Sequence, residues 1–139
     1  MKSLSPNLAV KNIAQTVKYY IDNFGFELQM AVDETKKNFD TQILTDRNYI
    51  WAMIKCGEVE IMLQKDDNLK KDLGEFFDDI GSSSSIYIGV EDVDDFYKKV
   101  QNNDVEIYKN IETTWYGQRE FYIKDLDGYI LGFASAESK

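Results

Sequence analysis

The sequence predicts an α+β fold made of two β-α-β-β-β modules, and three observations carry the prediction. Two segments, NLAVKNIAQTVKYYIDNFGFEL at residues 7–28 and SIYIGVEDVDDFYKKVQNNDVEI at residues 85–107, repeat one pattern. In each, a short apolar strand ends at Val10 or Val90, an offset of 80 residues, and a capped helix and a second strand follow. Each half then closes with a hairpin. Self-similarity on this scale speaks to the whole fold, because it builds the same supersecondary unit twice.

The elements follow in order. Asn12 is placed to cap a helix whose Ile13, Val17, Tyr20, Ile21 and Phe24 recur on one face, and Gly25 ends it. In the second repeat Asp92 is the cap. Asp94 and Asp95 occupy the first turn, where the helix dipole favours carboxylates, and Val93, Phe96, Tyr97 and Val100 form the apolar face. The first hairpin runs from Ile50–Ile54 through Cys56, Gly57 and Glu58 into Val59–Leu63. The second runs from residues 121–124 through Asp125-Leu126-Asp127-Gly128 into residues 129–133, with Asp-Gly supplying the positive φ of a tight turn. Between the halves, DDNLKKDLGEFFDDIGSSSS holds a short helix with Leu69, Leu73, Phe76, Phe77 and Ile80 on its apolar side. Ser82 to Ser85 are a flexible lead into the second half. Neither half alone buries its sheet face, so the expectation is one domain over 1–139. It consists of a module at 6–65, a connector at 66–84 and a second module at 85–135.

A chain of 139 residues, 43% hydrophobic and 29% charged, has the composition of a globular domain with a real core. No apolar run approaches the roughly 20 residues that span a bilayer, and MKSLSPNLAV has no secretory character. The single cysteine, Cys56, excludes an internal disulfide and a cysteine metal cage, and its place in a strand-like run reads as a small core residue. A cytoplasmic location is expected. A net charge of −9 repels nucleic acid and anionic membranes and attracts cations, so neither of the first two is an expected partner. With no histidine, Ser/His and Cys/His nucleophile pairs are excluded, and the glycines form neither a dinucleotide nor a Walker loop.

The segment WYGQREFYIKDLDGYILGF, residues 115–133, adds a resemblance. Its Gly117-x-Arg119-Glu120-Phe121 followed by Asp125-x-Asp127-Gly128-Tyr129 resembles the last hairpin of the vicinal oxygen chelate superfamily, nearest its glyoxalase-like and bleomycin-resistance branch. Residues 90–95 and 61–64 resemble family segments too, and the pattern covers about residues 6–135. The resemblance implies that the two modules form a cupped mixed sheet. It also implies a metal ligand in several strands, and matching by motif puts those positions at Ser5, Met62, Ser85 and Gly132. None of these is a competent ligand for a divalent ion, which wants imidazole, carboxylate or thiolate donors. Glu60 is the one carboxylate placed nearby, so no metal and no other cofactor is expected.

Strand parity then assigns faces. Val59, Ile61 and Leu63 face a helix, leaving Glu60, Met62 and Gln64 for the cup. Likewise Leu131 and Phe133 are core while Ile130, Gly132 and Ala134 face the cup. Ile86, Ile88 and Val90 are core while Ser85, Tyr87 and Gly89 face it. Leu8 and Val10 are core while Asn7 and Ala9 face it. Trp51, Met53, Tyr87, Trp115, Tyr116 and Phe121 are expected on the cup or its rim, where flat rings would sandwich a planar ligand and carboxylates would hold its cationic part. Arg119 either binds an anionic group of that ligand or pairs with a neighbouring carboxylate. Glu60 and Glu120 are the candidate bases if desolvated, although Glu120 is expected to alternate outward toward a cation.

The expected ligand-binding set is therefore Asn7, Trp51, Met53, Glu60, Met62, Gln64, Tyr87, Trp115, Tyr116, Arg119 and Phe121, with no catalytic residue assigned. The resemblance implies a homodimer that sequesters a partly aromatic, cationic small molecule in a groove between subunits, as in antibiotic resistance by drug capture. The alternatives are a glyoxalase-like lyase, isomerase or dioxygenase using a non-standard metal ligand set, and a module whose cup binds a protein partner.

Overall fold

Both repeats fold as their alternation of apolar and polar residues demands. A computed structural model describes residues 2–77, 79–80 and 84–137, and the chain divides into two compact units, Met1–Ile80 and Gly81–Lys139. The first runs β1 (Asn7–Val10), α1 (Ile13–Phe24), β2 (Glu27–Asp33), β3 (Phe39–Asp40), β4 (Tyr49–Cys56), β5 (Val59–Lys65) and α2 (Asp66–Leu73), with a 3-10 turn at Gly74–Phe76. Its five strands lie in the order β1-β5-β4-β2-β3, with β1 parallel to β5 and the other pairs antiparallel. The second runs β6 (Ile86–Gly89), α3 (Val93–Gln101), β7 (Glu106–Thr113), β8 (Gln118–Lys124) and β9 (Ile130–Ala136). Its strands lie in the order β6-β9-β8-β7, again with one parallel pair, β6 to β9. The chain is thus an α+β protein with two mixed sheets and three α-helices among the described residues.

The capping residues act as their chemistry predicts. Asn12 Oδ1 accepts from the Gln15 N–H at 2.9 Å, and Asp92 Oδ1 accepts from the Asp95 N–H at 3.1 Å, each satisfying a donor left over at a helix start. Gly25 sits at φ 75°, the left-handed conformation that stops α1 cheaply only in glycine. The covered face of the first sheet is fully buried at Val10, Ala52, Ile54, Ile61 and Leu63, beneath Ile13, Val17, Tyr20 and Phe24 of α1. Its counterpart in the second unit is Phe121, Ile123, Leu131 and Phe133 beneath Val93, Tyr97 and Val100 of α3. Burying each large side chain of this kind contributes about 1.5–3 kcal/mol, which is what holds helix to sheet.

Three details depart from expectation. The connector helix stops at Leu73, because Gly74 turns the chain with φ 59°, so Leu69 is buried but Leu73 is exposed. Cys56 is exposed, since it is the last residue of β4 before the Gly57-Glu58 turn, where the sheet has run out of cover. The two-residue strand β3 is an addition to the module, formed by the return of the chain beside β2. Of the expected serine lead, Ser82 and Ser83 lie outside the described residues. Among the described residues no helix is long and apolar enough to cross a membrane.

Candidate functional site

Register decides which side chains share a face, because residues directly opposite on neighbouring strands point the same way. In the first unit Asn7 pairs with Met62, Met62 with Met53 and Met53 with Met30. The next row runs Ala9, Gln64, Trp51 and Val32. The face opposite α1 therefore carries six of the sequence-derived residues together: Asn7, Trp51, Met53, Glu60, Met62 and Gln64. Its middle is apolar and polarisable, with three methionines beside one indole. Its margin is a closed polar network. Asn7 Nδ2 donates to Gln64 Oε1 at 2.9 Å. Gln64 Nε2 donates to Asn68 Oδ1 at 2.6 Å and to Asp72 Oδ2 at 2.7 Å. Gln64 is buried, and these contacts fix both ends of its amide. Ser5 Oγ donates to Glu60 Oε1 at 2.8 Å.

In the second unit Tyr87 pairs with Gly132 and Gly132 with Tyr122, while Glu120 pairs with Ala134. The face opposite α3 thus gathers Tyr87, Tyr122 and Glu120. Glu120 is 3% exposed, although sequence alternation pointed it outward toward a cation. Its partners are phenols instead. Tyr87 Oη donates to Glu120 Oε2 at 2.5 Å, and Tyr116 Oη donates to Glu120 Oε1 at 2.6 Å. No ion pair joins Glu120 to a lysine or arginine among the described residues. The tyrosines respond to the carboxylate. Loss of water and then the Glu120 bond push the Tyr87 hydroxyl well above its ordinary value. At Tyr116 the Glu120 bond comes first and desolvation second. Tyr122 is raised by desolvation, then by the Glu120 charge. All three hydroxyls therefore keep their protons at neutral pH. Lys109 Nζ stands 5.7 Å from the centre of the Tyr122 ring, so this cluster already makes one cation–π contact.

The structure corrects one expectation and places two further residues. Phe121 pairs with Phe133 on the covered face, is fully buried, and packs on Phe96, Tyr97 and Phe133 with ring centres 4.8–6.0 Å apart. It is a core residue of the second unit and not a ring of the open face. Arg119 has the same parity and turns to α3, where Nη2 meets Asp94 Oδ1 at 3.0 Å. Of its two anticipated roles the structure shows the ion pair. Trp115 is 94% exposed in the turn between β7 and β8, touching Tyr116 edge-on, so it lines no surface of its own unit. Tyr122, Asn68 and Asp72 were missed. Tyr122 shares parity with Glu120, a signal the sequence contains. Asn68 and Asp72 reach Gln64 only because α2 begins directly after β5.

The donor set does not fit a divalent metal. Of the four positions that the family resemblance marks, Ser5 is committed to Glu60, Met62 offers a thioether, and Ser85 is a lone hydroxyl. Gly132 has no side chain, and a Cβ there would stand 2.6 Å from Cε1 of Tyr122, so the tyrosine ring fills the space a ligand would need. Among the described residues no three His, Cys, Asp or Glu side chains gather closely enough to hold a metal.

Comparison with known proteins bears on the family and the fold. The family model of the Glyoxalase/Bleomycin resistance protein/Dioxygenase superfamily matches residues 4–133. The structure is similar to that of TioX from Micromonospora sp. ML1, with TM-score 0.70 and 17% identity over 97% of this chain and 99% of that one. It is similar to a glyoxalase/bleomycin resistance protein/dioxygenase family enzyme from Burkholderia phytofirmans PsJN, with TM-score 0.70 and 16% identity over 96% and 98% of the two chains. A superfamily member from Sphaerobacter thermophilus gives TM-score 0.67 and 18% identity over 96% and 97%. At such identities the likeness establishes the fold. No curated protein matches the sequence closely enough to count as a relative.

Proposed function

Because the chain belongs to the Glyoxalase/Bleomycin resistance protein/Dioxygenase superfamily, we propose that it binds a planar, partly aromatic organic cation without a metal, working as a homodimer. The observation that carries this reading is Glu120, a buried carboxylate whose two oxygens are engaged by tyrosine hydroxyls and by no cationic side chain among the described residues. A buried charge without a counter-charge is costly, and an incoming cation relieves that cost. The Tyr87, Tyr116 and Tyr122 rings around it supply the negative π-faces that a delocalised cation prefers. Taken by itself, the first unit's face of three methionines and Trp51 is a soft, adaptable surface of the kind that accepts aromatic groups. Both oxygens of Glu120 are held by phenols and the surrounding surfaces are soft and aromatic, which favours sequestration as the reading.

Calorimetry tests it with metal-free bleomycin and with ethidium as a simple planar cation. Saturable binding is expected, and Glu120→Gln, which keeps the shape but removes the charge, weakens it by about tenfold or more. Absence of heat from both compounds with the folded protein overturns the reading. So does a stoichiometric transition metal in elemental analysis of the purified protein. Light scattering reads the assembly directly.

A further inference from the structure

A different part of the first unit carries the opposite charge. Where β1, β2 and β5 end and β4 begins, the end of the sheet surrounds a hollow of about 870 Å³. Its walls hold Lys11, Lys36, Arg47, Lys65 and Lys71 against Glu34 and Asp67, five positive charges against two. In a chain with 25 acidic and 16 basic residues, a lining in which lysine and arginine outnumber carboxylates runs against the sign of the whole molecule. Both wall carboxylates are already occupied. Asp67 Oδ2 is bridged to Lys65 Nζ at 2.8 Å, and Glu34 Oε1 accepts from Asn48 Nδ2 at 3.1 Å. The Arg47 guanidinium is half-buried and held through Nε by Asp40 at 3.3 Å, a contact that leaves its two terminal nitrogens outside the pair. Lys36 is presented by a tight loop in which its own φ is 62°, fixed by the buried Asp33 carboxylate, which accepts from Thr35 Oγ1 and Asn38 Nδ2 at 2.6 Å each. The first residues of α1, Ile13 and Ala14, complete the wall. The first turn of α1 carries no acidic residue, whereas those of α2 and α3 carry two each.

We propose that this basin binds a small polyanion, a molecule carrying phosphoryl or clustered carboxylate groups with at least two negative charges. Lysines supply point charges, Arg47 supplies a planar donor fork, and the positive end of the α1 dipole, with no carboxylate in its first turn, adds to both. The hollow has the size of an ordinary small-molecule site. The site is distinct from the tyrosine–glutamate cluster in position and in sign, so either can fail without the other.

The full chain is titrated with inorganic pyrophosphate in one arm and citrate in the other, followed by calorimetry and by amide shifts in NMR spectra. Saturable binding in at least one arm is expected, with shifts concentrated at Ile13, Ala14, Lys36 and Lys71. Binding of pyrophosphate assigns the phosphoryl source, and binding of citrate alone assigns the carboxylate source. Lys11→Glu combined with Lys71→Glu, both exposed positions, weakens binding by about tenfold or more, while Lys98→Glu with Lys99→Glu on α3 changes net charge equally and weakens it by less than about threefold. No saturable binding in either arm overturns the proposal, as does an equal loss in both double variants or a shift map that avoids the basin.

Discussion

A buried acid that titrates out of range leaves a mark on stability. Asp33 is held below the usual carboxylate range, first by the Thr35 hydroxyl and then by the Asn38 amide, which outweigh its desolvation. With its folded value lowered, the stabilisation it provides is complete above the unfolded value of about 3.9 and is lost as pH falls through the folded value. Urea titrations at pH 5 and pH 3 should therefore show Asp33→Asn as clearly destabilised at pH 5, with the gap to the parent chain narrowing at pH 3. A constant gap means that the loop is held by shape and not by the charge. The residue scale is also where the sequence was least legible. Phe121 and Glu120 are neighbours, so a strand puts them on opposite faces, but which face each takes depends on pairing with β9. That pairing is set by the five-residue return from Asp125 to Tyr129, whose geometry follows from Asp125 accepting the Asp127 and Tyr129 N–H groups at 3.0 and 2.8 Å. No composition rule orders those bonds in advance, and a one-residue error exchanges a core ring for a buried acid.

At the scale of elements the sequence was far more explicit. Helix starts at Asn12 and Asp92 and the helix stop at Gly25 rest on local chemistry, and the structure realises each of them. The faces of β5, β6 and β9 followed from alternation, since one side of each strand had to be buried under a helix. What alternation does not convey is a contact between strands, and Gly132 shows this. Its register neighbour Tyr122 lays its ring over the backbone so closely that a Cβ would lie 2.6 Å from Cε1, 3.0 Å from Cζ and 3.1 Å from Cδ1. Gly132→Ala should cost about 1–3 kcal/mol, because a ring that also meets Tyr87 and Lys109 has to move as a unit. Thermal melts would register the loss, and Tyr122→Leu in the same chain should recover part of it by clearing the contact. An alanine variant as stable as the parent would mean that the ring turns aside freely, and the case for a rigid aromatic wall around Glu120 would go with it.

At the scale of the molecule the deciding quantity is the field. With a net charge of −9, every cation approaching the protein is attracted before it reaches a particular side chain, and every anion is repelled. Against that net charge the basin is lined mainly by lysine and arginine, so an anion bound there sits in a favourable pocket within an unfavourable field. Salt screens both contributions over about 10 Å at 0.1 M. For an organic cation at Glu120, the local charge and the global field act in the same direction, and raising NaCl from about 20 to 200 mM removes support on both counts. For a polyanion in the basin, the two act in opposite directions, and screening takes away repulsion together with attraction. Across that range the affinity for ethidium should fall several-fold, while that for pyrophosphate or citrate should change distinctly less than its higher charge alone would dictate. Parallel calorimetric titrations at the two ionic strengths make the comparison. If the polyanion loses affinity more steeply than the cation, then the positive wall acts alone and the acidic remainder of the chain is too distant to oppose it.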